Sequence, residues 1–172
     1  MPTNPLIYSR DCYAWVVGDR CTVTVSDDMV ASGWPGGIGV MWVPGVNDER
    51  TVGISDGRYG GFCLFGSSET PDQLTSLSDS QQTYRYATFC AGGWLISTST
   101  YERYTYASRI GGGALVPLTY SINDVLFFSL RGYWTREREL DLSGAGSNFF
   151  TGFVAQVPKA STNYWLGIQT GL

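Results

Sequence analysis

TVGISDGRYGGFCLF (51–65) is the stretch on which the fold turns. Two runs of β-branched, aromatic and small residues, TVGI (51–54) and GGFCLF (60–65), are too short for helices and flank Ser55-Asp56-Gly57-Arg58. Asp-Gly is the dipeptide that tight hairpins favour, because glycine tolerates the positive φ such turns require. The segment therefore reads strand, turn, strand.

The same grammar recurs in both directions. CYAWVV (12–17) and CTVTV (21–25) sit either side of Gly18-Asp19-Arg20, a three-residue hairpin loop. GIGVMWV (37–43), YRYATF (84–89), GWLIS (93–97), YERYTYA (101–107), VLFFSL (125–130), NFFTGFVAQV (148–157) and NYWLGIQ (163–169) complete the set. Close spacing of this kind predicts an all-β chain, a compact β-sandwich or barrel of about ten short strands. One helix is expected from Thr70-Pro71, an N-cap followed by proline at the first helical position, before DQLTSL. TRERELDL (135–142) reads equally as a helix turn with i,i+3 charge pairs or as a strand with Leu140 and Leu142 on one face.

The chain is 172 residues long, the length of one domain. MPTNPLIYSRD, residues 1–11, carries two prolines and no periodicity, so it reads as an extended arm before a single β domain over 12–172. A neighbouring molecule is the expected seat of that arm, with the chain's own domain as the alternative.

Charged residues are only 15% of the chain, where about 25% is usual. Ten of the eleven basic residues are arginine, Lys159 being the single lysine, and aromatics reach 15%. Tyr, Trp and Arg are enriched at protein contacts and Lys is depleted there, so the balance predicts a surface largely covered by protein. YERYTYA makes the point locally: as a strand it sets Glu102, Tyr104 and Tyr106 against Tyr101, Arg103 and Thr105. Neither set suits a buried face or a solvated one, and both suit a half-wet contact.

Much chemistry is excluded. The chain contains no histidine, which removes Ser-His-Asp, Cys-His and histidine-ligated zinc arrangements. Cys12, Cys21, Cys63 and Cys90 form no CxxC pair and read as thiols of a protein made in a reducing cytosol, with Cys63 and Cys90 in apolar runs as buried free thiols are. Of the candidate acids Asp27, Asp28, Asp48, Glu49 and Glu102, most lie in loops or beside arginine, as solvated turns and ion pairs do. Neither enzyme, cofactor nor metal is expected. A net charge of −4 with no run of basic residues argues against direct nucleic-acid binding. No apolar run approaches the length of a membrane span, and the start lacks the apolar core of a signal peptide.

The arm MPTNPLIYSRDC, joined to a β domain of GGFCLFG and GGWLISTSTYERYTYASR type, resembles the virion structural proteins of tailed bacteriophages, most of all the capsid decoration or cement proteins. The resemblance covers the whole chain as texture and brings no diagnostic motif. It implies a non-enzymatic β domain on the capsid surface, bound to the major capsid protein and to its own copies as a homotrimer or other symmetric oligomer. Tail-tube and head-completion proteins share the texture. The expected interface residues are Pro2, Asn4, Pro5, Ile7, Tyr8 and Arg10 of the arm, Tyr101, Glu102, Arg103, Tyr104 and Tyr106, and Arg136, Glu137, Arg138 and Glu139. The rival reading is a glycan-binding module that stacks sugars on Trp34 and Trp42, against which stands their use in the core.

Overall fold

Phe62 and Cys63 are adjacent in β sequence and both fully buried, which a strand achieves only with protein on both its faces. That doubly covered strand is the hinge of the architecture. In the computed structural model the described residues are 6–9, 20–44, 51–58, 61–63, 66, 86–90, 92–140, 150–159 and 164–171. In chain order they form β1 (Leu6–Ser9), β2 (Arg20–Val25), α1 (Asp27–Ser32), β3 (Gly39–Val43), β4 (Thr51–Ile54), β5 (Gly61–Cys63) and β6 (Tyr86–Cys90). Then follow β7 (Leu95–Thr98), α2 (Tyr106–Ile110), β8 (Val125–Phe128), β9 (Trp134–Thr135), β10 (Gly152–Gln156) and β11 (Leu166–Thr170).

The protein is all-β, as its sequence predicts. Five strands close into a barrel in the order β2-β4-β3-β5-β6, and six form a sheet in the order β1-β7-β11-β10-β8-β9. Neighbours in both are antiparallel except β2 and β4, which run parallel with Thr24 opposite Thr51.

Each barrel strand supplies one residue to a common apolar cluster: Val25, Val40, Val52, Cys63 and Phe89, joined by Met29, Trp34 and Ile38. The next residues on β5 and β6, Phe62 and Cys90, are paired in register and point the other way. There they join Trp94, Ile96, Leu126, Phe128, Trp134, Val154, Leu166 and Ile168 of the sheet side. Barrel wall and sheet thus pack face to face like a sandwich. Cys63 and Cys90 are buried free thiols on opposite faces of their strand pair.

The Trp34-Pro35-Gly36-Gly37 turn is pinned into this seam. The Thr100 hydroxyl donates to the Gly36 carbonyl at 2.9 Å and the Trp134 indole N–H to that of Gly37 at 2.8 Å. Gly39 lets β3 approach the sheet, since a β-carbon there would stand 2.4 Å from the Phe128 ring.

Several expectations are corrected. β4 and β5 are not a hairpin: β3 lies between them and pairs with both. The Ser55 hydroxyl instead accepts from the Gly57 N–H at 3.0 Å, so Asp-Gly makes a local turn while the chain crosses to the far side of β3. YERYTYA is not a strand. Tyr101 and Tyr104 make single bridges to Trp134 and Pro117, and Tyr106 begins α2 behind the Thr105 cap, whose hydroxyl accepts from the Ser108 N–H. Asp27 and Asp28 lie in α1, not in a loop, behind the N-cap Ser26 and favourably placed for the helix dipole. Part of the arm is a strand. Leu6–Ser9 pairs antiparallel with β7 of its own domain, where the alternative is an open sheet edge. TRERELDL contributes Thr135 to β9 and then bends. The helix expected at 70–76 and the strand at 12–17 lie outside the described residues. No helix among the described residues is long and apolar enough to cross a membrane.

Candidate interaction surface

Glu102 is the best-buried charge in the chain's most tyrosine-rich segment, at 0% exposure. Its backbone N–H donates to the Trp134 carbonyl at 2.8 Å, which fixes the segment against β9. Its carboxylate receives the Arg131 guanidinium as a fork, Nε to Oε1 at 2.8 Å and Nη2 to Oε2 at 2.6 Å. Arg109, on the last turn of α2, approaches the same carboxylate at 3.3 Å and also pairs with Glu139. Glu139 is equally buried and accepts the Leu130 N–H at 3.1 Å. Two buried carboxylates are therefore neutralised by two guanidiniums, Arg109 largely buried and Arg131 reaching in from the surface.

Burial pushes the Glu139 carboxyl above its ordinary range. The Leu130 N–H and Arg109 pull it back without cancelling that effect, since Arg109 is shared with Glu102, whose charge adds to the push.

This corrects the expected role of two residues. Glu102 and Glu139 are held by their own domain and do not face a neighbour. Adjacent residues part company here: Glu102 points inward and Arg103 outward. Tyr104 is 38% exposed, and Tyr106 is half-buried, its N–H donated to Glu137 at 2.7 Å. Arg136 reaches Asp124 at 3.5 Å, and Arg138 lies over the Phe127 ring at 5.1 Å. Ile7 and Tyr8 belong to β1, while Pro2, Asn4, Pro5 and Arg10 lie outside the described residues. Trp34 is in the core at 5% exposure, and Trp42, at 43%, lies beside Phe89.

The outer side of the same segment forms a cleft of about 410 Å³, lined by Tyr101, Arg103, Leu118, Thr119, Tyr120, Val157, Pro158 and Tyr164. Tyr101 and Tyr120 meet edge to face at 5.6 Å and make its floor. Their hydroxyls are spent on carbonyls, Tyr101 donating to Tyr164 at 2.9 Å and Tyr120 to Glu102 at 2.6 Å. Burial raises both phenols above the ordinary tyrosine range, Tyr120 more than Tyr101, where Arg103 pulls the other way. The Arg103 guanidinium stands 5.6 Å from the Tyr101 ring centre and 6.0 Å from that of Tyr164.

Beyond the cleft, residues 103–118 leave the domain as an excursion. Thr105 N–H to Val116 O and Leu118 N–H to Arg103 O, at 2.9 and 2.8 Å, tie its two stems. Its end carries Ile110, Leu115 and Val116 at 67%, 52% and 53% exposure. The outer face of the sheet is apolar as well, where exposed Val125 and Phe153 are register partners and Phe150 packs 4.7 Å from Phe153.

Arg109, Arg131, Tyr120 and Tyr164 are site residues that sequence reasoning missed. The arginine excess carried the signal, because Arg is the cation suited to buried forks; its partners, 29 residues away or more for Arg131 with Glu102 and Arg109 with Glu139, come from no local pattern. No family model matches the chain, and no curated protein matches it.

Proposed function

We propose that the protein is a non-enzymatic structural adaptor that docks on a larger protein assembly. The finer reading is a decoration or cement protein on the major capsid protein of a phage head, by its likeness in texture to that class. One observation carries the adaptor reading: beside two buried carboxylates, the 103–118 excursion turns large apolar side chains outward. Glu102 and Glu139 are fully buried while Ile110, Leu115 and Val116 are more than half exposed. A domain that meets only water gains nothing from that inversion, because each exposed apolar side chain forgoes roughly 1.5–3 kcal/mol of burial. A domain whose surface is covered recovers it. Many copies on a symmetric shell then multiply modest contacts. The glycan-binding alternative loses one of its two stacking platforms with Trp34 in the core.

The test is co-sedimentation of purified protein with undecorated phage shells. The wild type is expected to bind and to raise shell resistance to heat. Leu115→Asp with Val116→Asp, at two exposed positions that belong to neither core cluster, is expected to fold normally and lose binding. Failure of the wild type to bind any shell or tail component, or full occupancy by the double variant, defeats the proposal.

A further inference from the structure

Resting on the adaptor reading, we infer that the cleft between Tyr101, Tyr120 and Tyr164 is the seat of an extended partner segment that presents an acidic side chain to Arg103. Three features specify that occupant. The first is charge. Arg103 is the one charged residue lining the cleft, it is exposed, and among the described residues it makes no ion pair. Lys159, also exposed, follows Pro158 at the rim. In a chain of net charge −4 this is a local positive spot, complementary to a carboxylate. The two tyrosine rings beside the guanidinium hold it in place, so little freedom is lost when it takes up a carboxylate.

The second feature is the floor. Because Tyr101 and Tyr120 spend their hydroxyl protons inside the protein, they offer ring surface in place of O–H donors. Such a floor suits the apolar body of a peptide, proline above all, better than a sugar rich in hydroxyls.

The third feature is backbone. Residues 118–120 alternate buried, exposed, buried, as an extended strand does. The Leu118 N–H is taken by Arg103, so the neighbouring Thr119 amide points to the other side. Thr119 makes no hydrogen bond among the described residues. It supplies the donor and acceptor by which an incoming extended chain registers itself.

The probe is acetyl-Val-Glu-Pro-Tyr-amide, titrated into the full-length protein and followed by amide chemical shifts. Shifts are expected at residues 101–103, 118–120 and 157, with the Gln analogue of the peptide binding about tenfold more weakly, the scale of one charge-assisted hydrogen bond. Arg103→Gln loses the same factor and Arg103→Lys part of it. Equal binding of the Glu and Gln peptides, shifts confined to other surfaces, or stronger binding of free glucuronate each overturns the proposal. The two readings fail separately. If Arg103→Gln binds shells as fully as wild type the cleft proposal falls and the adaptor stands, whereas peptide binding without shell binding does the reverse.

Discussion

Glu139 and Glu102 share one arginine, and that division of charge governs the local electrostatics. A carboxyl whose folded pKa is raised binds more protons folded than unfolded, so stability falls as pH rises through the window above its ordinary value of 4.5. Glu139→Gln mimics the protonated form and should remove that slope. Measured by urea midpoints from about pH 4 to about pH 7, the stability of wild type relative to Glu139→Gln is expected to decline with pH. A difference that is flat or grows with pH would show that burial does not dominate at Glu139. The same arithmetic explains why the charges come as a foursome: removing one member of a buried pair strands its partner, at about 3–5 kcal/mol.

Among the elements, β1 and the 103–118 excursion have opposite dependencies. The excursion is tied at its stems and presents its apolar end to whatever lies outside. β1 contributes through backbone pairing, Leu6 to Ser9 against Thr98 to Leu95, and covers an edge of β7 that would otherwise be open. Deleting residues 2–9 removes none of the described cluster residues, so far-UV circular dichroism should report a folded domain. Sedimentation velocity should then detect concentration-dependent association beyond that of wild type, through edge-to-edge pairing at β7. A truncated protein that associates no more than wild type would mean that β1 is not guarding that edge.

At the scale of the whole molecule, barrel and sheet are joined by the doubly buried pair β5–β6. Phe62 meets Trp134 at 6.0 Å on the sheet side while Cys63 sits in the barrel cluster. Neither half can lose this pair and keep its core, so one cooperative transition is expected. Phe62→Ala should lower stability by about 3–5 kcal/mol. Tryptophan fluorescence, which reports the seam through Trp94 and Trp134, should move together with far-UV circular dichroism. Two separated transitions would mean that the barrel and the sheet are independent units.

Alternating short runs between turn residues were enough to determine an all-β chain, because the period of two is local and each strand carries it alone. The same holds for most strand positions: GWLIS, VLFFSL and NYWLGIQ each overlap an observed strand, and Cys63 and Cys90 read correctly as buried thiols. Only the tertiary structure decided pairing and direction. A hairpin cue at Asp56-Gly57 cannot foresee that β3 will come between β4 and β5, since the cue reports the turn and not the partner. Nor can alternation at 101–107 foresee that the carboxylate of Glu102 will turn inward, because its partners Arg131 and Arg109 arrive from β9's approach and from α2. Faces are set by neighbours in sequence; what covers a face is set by chain closure over long separations, and that is where the cleft at Arg103 is made.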